Sequence, residues 1–155
     1  MSVGKPTNAE IYGKYADELV RFATGLVGPA DAQDVVAEAV VRVMWSKRWP
    51  EVTNYKAYLY QAVLNEARMH HRSTMRRRAR ELRSSWSDVV YPDEARPEVL
   101  DAVGRLSPRQ RAAIFLTYWE GLSVEEVSLR LGVREGSVKR HLARARAKLR
   151  GSLHE

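Results

Sequence analysis

The sequence has no cysteine among its 155 residues. Neither a disulfide framework nor a thiolate zinc site can form, so stability has to come from packing. Long hydrophobic runs are missing as well: no segment approaches the roughly 18 apolar residues of a membrane span. The start, Met1–Ala9, is polar and lacks the apolar core of a signal peptide. We therefore expect a chain without a membrane span that acts in the cytoplasm.

Positive charge is unevenly distributed in a chain whose net charge is +7. Residues 1–71 hold eight basic and eight acidic side chains, whereas residues 72–83 hold six arginines against one glutamate. Residues 84–97 are acidic, and residues 98–155 hold eleven basic against seven acidic side chains. A neutral first unit, a basic hinge and a basic second unit predict a two-module protein that binds nucleic acid.

Apolar residues recur at helical spacing in three stretches of the first unit. Asn8 is expected to cap the first helix, Asp31 to open the second, and the third to run from about Tyr55 to Arg72. Three helices joined by short turns can enclose one small core. Residues 8–75 are therefore predicted to form a compact helical module.

The second half also has helix signals and no strand pattern. Ser84–Pro97 contains two prolines and no helical stripe, so we interpret residues 76–97 as a basic-to-acidic linker. Ser107 and Ser123 each stand three residues before a Gln or Glu, which is the spacing of a capping box. The predicted fold class is all-α, with a second helical module over residues 98–150.

Within that module, residues 123–150 have the layout of a helix-turn-helix, with a tight turn at Gly132 and a basic second helix from about Glu135. Five side chains are candidates for contacts with DNA: Arg134, Ser137, Lys139, Arg140 and Arg144. Arginine can bind guanine through two hydrogen bonds, worth roughly 1–3 kcal/mol of discrimination. The alternative is a helical hairpin whose basic face is only solvated. A repressor could also use a helix-turn-helix, so the motif alone indicates DNA binding and not the kind of DNA-binding protein.

Specific strings in both halves resemble one family. Leu106-Ser107-Pro108-Arg109-Gln110-Arg111, Glu120-Gly121-Leu122-Ser123 and Gly136-Ser137-Val138-Lys139 resemble region four of extracytoplasmic-function sigma factors, particularly actinobacterial members. Asp31 to Glu38, Tyr58-Leu59 and Val63-Leu64-Asn65-Glu66 resemble region two of the same family, in the expected order.

The resemblance implies partners for each module. Region four reads the upstream promoter element and docks on the flap of core RNA polymerase, and region two binds the polymerase clamp and the melted downstream element. Many family members are held by an anti-sigma factor, so such a partner is implied too. No cofactor and no metal are implied, and catalysis of RNA synthesis would belong to the polymerase.

Candidate residues in the first module each have a structural alternative. The resemblance makes Asp34 and Glu38 candidates for clamp contacts, although carboxylates early in a helix are also favoured by the helix dipole. Four further candidates could contact the melted downstream element: Trp49, Asn54, Tyr55 and Asn65. Aromatic faces can stack on an unpaired base, yet most aromatic residues lie in cores.

The arginine tract Arg76, Arg77, Arg78 and Arg80 either binds phosphate or forms a solvated tether. Taken together, these features predict a sigma factor that directs promoter-specific initiation. One rival is a stand-alone helix-turn-helix regulator that does not bind polymerase. Another is a hydrolase or nuclease acting on nucleic acid, for which the required carboxylate or histidine constellation is missing.

Overall fold

The computed structural model describes residues 4–81 and 102–153 of the chain, and these are almost entirely helical. The helices whose two ends both lie in these residues are α1 Asn8–Val27, α2 Pro29–Met44, α3 Tyr55–Glu81, α4 Pro108–Ile114, α5 Val124–Leu131 and α6 Glu135–Leu153. A 3₁₀ turn at Trp49–Glu51 joins α2 to α3, and a π-helical turn at Phe115–Trp119 extends α4. The predicted all-α class with a C-terminal helix-turn-helix is confirmed. The predicted linker segment Ser84–Pro97 lies outside the described residues.

The cap of α1 differs from the prediction. Thr7, not Asn8, is the N-cap: its side chain accepts a hydrogen bond from the Glu10 backbone N–H, and the Glu10 carboxylate accepts one from the Thr7 backbone N–H. Asn8 is the first helical residue, and its side-chain oxygen accepts a hydrogen bond from the Trp49 indole at 2.8 Å. Threonine satisfies an orphan N–H of the first turn, which leaves Asn8 available to fix Trp49.

α3 is longer than expected, because it continues from the predicted end at Arg72 to Glu81. The apolar stripe stops near Arg72, but arginine, alanine and methionine have high helix propensity and sustain the helix beyond it. Basic side chains near a helix C-terminus are also favoured by the helix dipole. Residues 76–81, predicted as the start of the linker, are therefore the last turns of α3.

Both predicted capping boxes of the second module are present. Ser107 accepts a hydrogen bond from Gln110 N–H, and Ser123 accepts one from Glu126 N–H, each reciprocated by the Gln or Glu side chain. Hydrogen bonds with Ser123 lower the pKa of the Glu126 carboxyl. Gly132 ends α5 with φ +66°, a left-handed conformation that glycine adopts without strain.

Replacing Ser123 with alanine is expected to reduce the free energy of unfolding by about 1 kcal/mol, because the first turn of α5 loses its cap. Chemical denaturation would measure the loss. Ser73→Ala is the matched control, because Ser73 is exposed within α3 and alanine is the better helix former there. Equal loss of stability in the two variants would contradict the capping role.

The core is continuous across both modules. Phe22, Leu19 and Leu26 of α1 are fully buried, and the same cluster extends through Leu116 and Val127 of the second module. Residues 8–75 were expected to enclose a core of their own, so the shared core is a finding that the sequence did not indicate. It gives the two modules a fixed arrangement in this structure.

Candidate polymerase and promoter interfaces

One face of α2 has no covering element among the described residues. Val35, Val36, Ala39, Val40 and Val43 are buried against α1 and α3. The opposite face presents, at steps of three or four residues, Asp34, Glu38, Val41 and Trp45, which we call the α2 stripe. Val41 is 57% exposed and Trp45 is 85% exposed. Two acidic and two large apolar side chains on one helical face form a surface suited to a protein partner.

The predicted pair Asp34 and Glu38 thus lies on a shared exposed face. Val41 and Trp45 were not predicted as candidates. A helical wheel continued from Glu38 would have placed both on the same side of α2, so the signal was present in the sequence.

Asn65 lies in an open groove between α2 and α3 with a volume of about 360 Å³. Arg42 and Arg48 also line the groove, and Arg42 Nε lies 2.7 Å from the Glu66 carboxylate. Tyr58 and Gln61 complete the wall on the α3 side. Amide and guanidinium groups beside an aromatic ring can hydrogen-bond and stack with a nucleotide. Asn65 is therefore placed where such a contact is possible.

Trp49 does not fit its predicted contact with an unpaired base. It is only 7% exposed, its indole donates to Asn8, and the rings of Tyr55 and Tyr58 pack at centroid distances of 5.3 and 6.2 Å. The 3₁₀ turn bends the chain back after α2 and directs Trp49 into the core. In this arrangement its ring has no free face for a base, and Tyr55 has one ring side occupied by Trp49.

Asn54 serves as the N-cap of α3. Its side-chain oxygen accepts a hydrogen bond from Ala57 N–H at 3.1 Å, which satisfies one of the orphan donors of the first turn. The residue is exposed, so its side-chain amino group remains accessible to solvent. A contact between Asn54 and DNA would have to use that group alone.

The two helices of the predicted helix-turn-helix pack together. Val127 and Leu131 of α5 are buried against Val138, Leu142 and Ala145 of α6. The candidate DNA contacts Arg134, Lys139, Arg140 and Arg144 are exposed, and Ser137 is half-buried at the start of α6. Arg140 Nη2 donates to Ser137 Oγ over a long 3.4 Å, so the guanidinium is weakly held. We call these five residues the α6 face.

A second exposed aromatic surface was not predicted from the sequence. Tyr118 is 60% and Trp119 72% exposed, and Phe115 stacks on Trp119 with ring centroids 6.3 Å apart. Tyr118 borders an open apolar groove of about 430 Å³ with Ile114 and Leu149. The π-helical turn shifts the helical register by a residue, so a 3.6-residue pattern could not have located this surface.

The basic tract begins on α3 with exposed Arg76 and Arg77. The side chains of Arg78 and Arg80 lie outside the described residues. Two turns earlier on the same helix, burial, followed by the charges of Arg109 and Arg72, lowers the pKa of Arg68. Positive charge therefore extends from the end of α3 toward the start of α4.

In residues 4–81 and 102–153, no three or more His, Asp or Glu side chains converge as metal ligands would. None of the helices in this part of the chain is both long enough and apolar enough to cross a membrane.

The comparisons with known proteins match both modules. The Sigma-70 region 2 family matches residues 11–77, and the Sigma-70, region 4 family matches residues 96–149. The chain is 33% identical over 157 residues to the RNA polymerase sigma-E factor of Streptomyces antibioticus, spanning 93% of this chain and 83% of that protein. It is 31% identical over 161 residues to the ECF RNA polymerase sigma factor SigL of Mycobacterium tuberculosis, spanning 94% and 88% respectively.

A solved structure is also similar. The sigma factor RpoE of Bartonella quintana, in complex with the anti-sigma factor NepR, matches with a TM-score of 0.61 and 25% identity, over 92% of this chain and 94% of that one. The chain thus has the two-domain organisation of sigma-70 proteins. It belongs to the family of extracytoplasmic-function RNA polymerase sigma factors, which are transcription-initiation factors.

Proposed function

We propose that this sigma factor binds core RNA polymerase through the α2 stripe and one surface of the second module, and reads promoter DNA with the α2–α3 groove and the α6 face. The observation that carries the proposal is that one chain joins, in family order, an uncovered acidic and aromatic helix face and an exposed basic recognition helix. The chain acts in the cytoplasm, where polymerase and promoter are found, and contributes positioning and strand separation without catalysis of its own.

The first module, residues 8–75, supplies the contact with the clamp. Asp34 and Glu38 favour a basic surface on the polymerase, and Val41 and Trp45 supply apolar area at its centre. Aromatic side chains that fill a partner's pocket typically dominate binding energy, whereas charged pairs at the rim mainly increase the association rate. The stripe therefore combines an anchor with electrostatic steering.

The α2–α3 groove supplies the contact with the melted downstream element. Asn65 can read a base edge, while Arg42 and Arg48 neutralise phosphates beside it. Tyr55 and the amino group of Asn54 lie at the start of α3, outside the groove, and can contact DNA there. Trp49 acts indirectly, because it holds the turn that positions α3.

The second module, residues 98–150, binds the upstream duplex. The α6 face enters the major groove, with Arg140 and Arg144 toward base edges and phosphates. The exposed pair Tyr118 and Trp119, with the apolar groove beside them, supplies the contact with the polymerase flap. DNA and polymerase would then occupy different sides of the module.

An anti-sigma factor is a further proposed partner. Support comes from the similar sigma factor RpoE, whose structure contains the anti-sigma factor NepR. Co-purification of the chain from its native cell, followed by mass spectrometry of bound proteins, would identify such a partner.

Reconstitution tests the proposed function. Core polymerase with this chain should produce transcripts from discrete start sites on a genomic template, and the aligned start sites should share two upstream elements. Core polymerase alone should not. If the chain binds duplex DNA strongly by itself but neither co-purifies with core enzyme nor changes its start sites, it is a stand-alone regulator.

Replacing Arg76, Arg77 and Arg78 with alanine is expected to weaken binding to nucleic acid with little change in sequence preference. Each lost phosphate contact reduces the slope of log K against log salt by about 0.9, and alanine preserves the helix. Binding titrations over a range of salt would measure the slope. Lys14→Ala, which removes an exposed charge from α1, should leave it unchanged. An altered promoter consensus in the triple variant would contradict phosphate binding.

A further inference from the structure

The two walls of the α2–α3 groove differ in chemistry. The wall formed by α2 and the turn after it carries the guanidinium groups of Arg42 and Arg48. Arg42 Nε pairs with the carboxylate of Glu66, which leaves the terminal Nη groups of this 65%-exposed side chain able to donate to a phosphate. Guanidinium groups match phosphate geometry, so the sugar–phosphate backbone of a strand in the groove would lie toward α2. Its bases would then face α3.

The α3 wall presents a row of side chains at helical spacing. Four side chains that line the groove follow one another at steps of four, three and four residues: Tyr58, Ala62, Asn65 and Met69. Asn65 and Met69 are one helical turn apart, so their Cα atoms are separated by about 6 Å along the axis. A single base can therefore meet both side chains at once.

Met69 supplies the accessible apolar surface of this row. Its side chain is 40% exposed, whereas Ala39 and Val43, which line the groove from α2, are buried. A methionine side chain is unbranched and polarizable, and it adapts its shape to an apolar group that approaches it. The groove thus offers an adaptable apolar contact one turn from the amide of Asn65.

The amide of Asn65 cannot by itself distinguish thymine from cytosine. An asparagine side chain offers both a donor and an acceptor. It can donate to O4 of thymine or, after rotation, accept from the N4 amino group of cytosine. The two bases also differ on the neighbouring ring atom, because thymine carries a methyl group on C5 and cytosine does not. An apolar side chain beside the amide would decide between them.

We propose that Met69 is a specificity-determining residue of the α2–α3 groove: its thioether contacts the C5 methyl group of a thymine in the melted downstream element, while Asn65 donates to O4 of the same base. This proposal rests on the proposed function of the groove. Burial of one methyl group gives roughly a fourfold preference over a base that lacks it. The downstream element therefore contains one thymine that is recognised through its methyl group.

Deoxyuridine provides the test, because it lacks that methyl group and keeps the hydrogen-bonding edge of thymine. Each thymine in the downstream element of a promoter identified by start-site mapping would be replaced by deoxyuridine, one at a time and in either strand. The affinity of core polymerase carrying the unmodified chain should fall roughly fourfold at one position and stay unchanged at the others. Competition binding would measure the ratio of the two affinities.

Met69→Ala should abolish this discrimination. The variant should bind the thymine promoter roughly fourfold more weakly, and the deoxyuridine promoter as tightly as the unmodified chain does. Met69→Leu, which keeps an apolar side chain of similar volume, should retain the discrimination. If Met69 had only a structural role, its replacement would weaken binding to both promoters equally.

Met75→Ala is the matched control. Met75 lies on the same helix, is 50% exposed and does not line the groove. Its truncation removes the same atoms from α3 and should leave the affinities for both promoters unchanged. Because both methionines are exposed, the two alanine variants should unfold at closely similar temperatures. A difference in base preference between them then reports a contact in the groove.

The outcomes separate this proposal from the proposed function. A chain that gives no promoter-specific transcript with core polymerase would count against the function of the groove as a whole. Normal initiation with equal affinities for thymine and deoxyuridine at every position would overturn the role of Met69 alone. A downstream element without thymine, or a preference for thymine over deoxyuridine that Met69→Ala leaves unchanged, would overturn it as well.

Discussion

Replacing Trp45 with alanine is expected to weaken binding to core RNA polymerase by at least about 2 kcal/mol, which is roughly 30-fold in Kd. The indole is 85% exposed and is not covered by any element of residues 4–81 or 102–153, so little stability is lost on truncation. If Trp45 fills a pocket on the clamp, the variant loses the largest apolar area of the α2 stripe. Titration of labelled chain with core polymerase would measure the loss.

Leu129→Ala is the matched control for Trp45→Ala. Leu129 is 67% exposed on α5, a large apolar side chain on a surface that we do not assign to polymerase. Its truncation should leave the affinity for core enzyme unchanged. Equal affinities of the Trp45 and Leu129 variants would remove the α2 stripe from the polymerase interface.

The two negative charges of the α2 stripe should affect binding to core polymerase differently from the Trp45 indole. Asp34→Asn with Glu38→Gln keeps the shape of the helix face and removes two negative charges. The association rate should fall and its salt dependence should flatten, with a smaller change in the dissociation rate. The contrast with Trp45→Ala separates steering from anchoring.

The helices and their caps could be predicted because their signals are local. Ser107 and Ser123 stand at the capping spacing, Gly132 follows the last periodic residue, and the apolar residues of α5 and α6 recur on one face. Each of these features depends on residues within two turns of one another. The end of α3 escaped prediction because helix propensity, not periodicity, sustains its last turns.

Trp45 and Trp49 show why the site was harder to predict. The two residues are four apart, and a continuous helix would have placed them on the same face. Instead α2 ends at Met44, the chain turns, and Trp49 reaches Asn8, 41 residues earlier in the sequence. One tryptophan is consequently exposed and the other buried.

The contact between the two modules depends on still longer separations. Arg111 reaches the carbonyl of Leu26 across 85 residues, and Phe115 requires a glycine at position 25. Neither residue carries a local signal of its partner. The family resemblance indicated two modules in the right order, but the contact between them required the folded structure.

Arg140→Ala is expected to lower affinity for the cognate promoter by roughly 1–3 kcal/mol, which corresponds to about 5- to 150-fold. The guanidinium is exposed on α6 and donates to Ser137 over a long 3.4 Å, so it can turn toward a base without breaking that weak interaction. Loss of two hydrogen bonds to one guanine should also relax the preference at that base pair alone. Competition binding against promoters with single base-pair changes would detect both effects.

Arg146→Ala is the control from the same helix. Arg146 Nε donates to the Tyr118 hydroxyl at 2.7 Å, and the guanidinium packs beside the Tyr118 ring, so it is directed toward the apolar groove. In a duplex-binding measurement, where polymerase is absent, its removal should leave sequence preference unchanged. If Arg140→Ala also leaves the preference unchanged, the bases of the upstream element are read by other residues of the α6 face. Arg144, one turn further along the helix, would then be the next residue to replace.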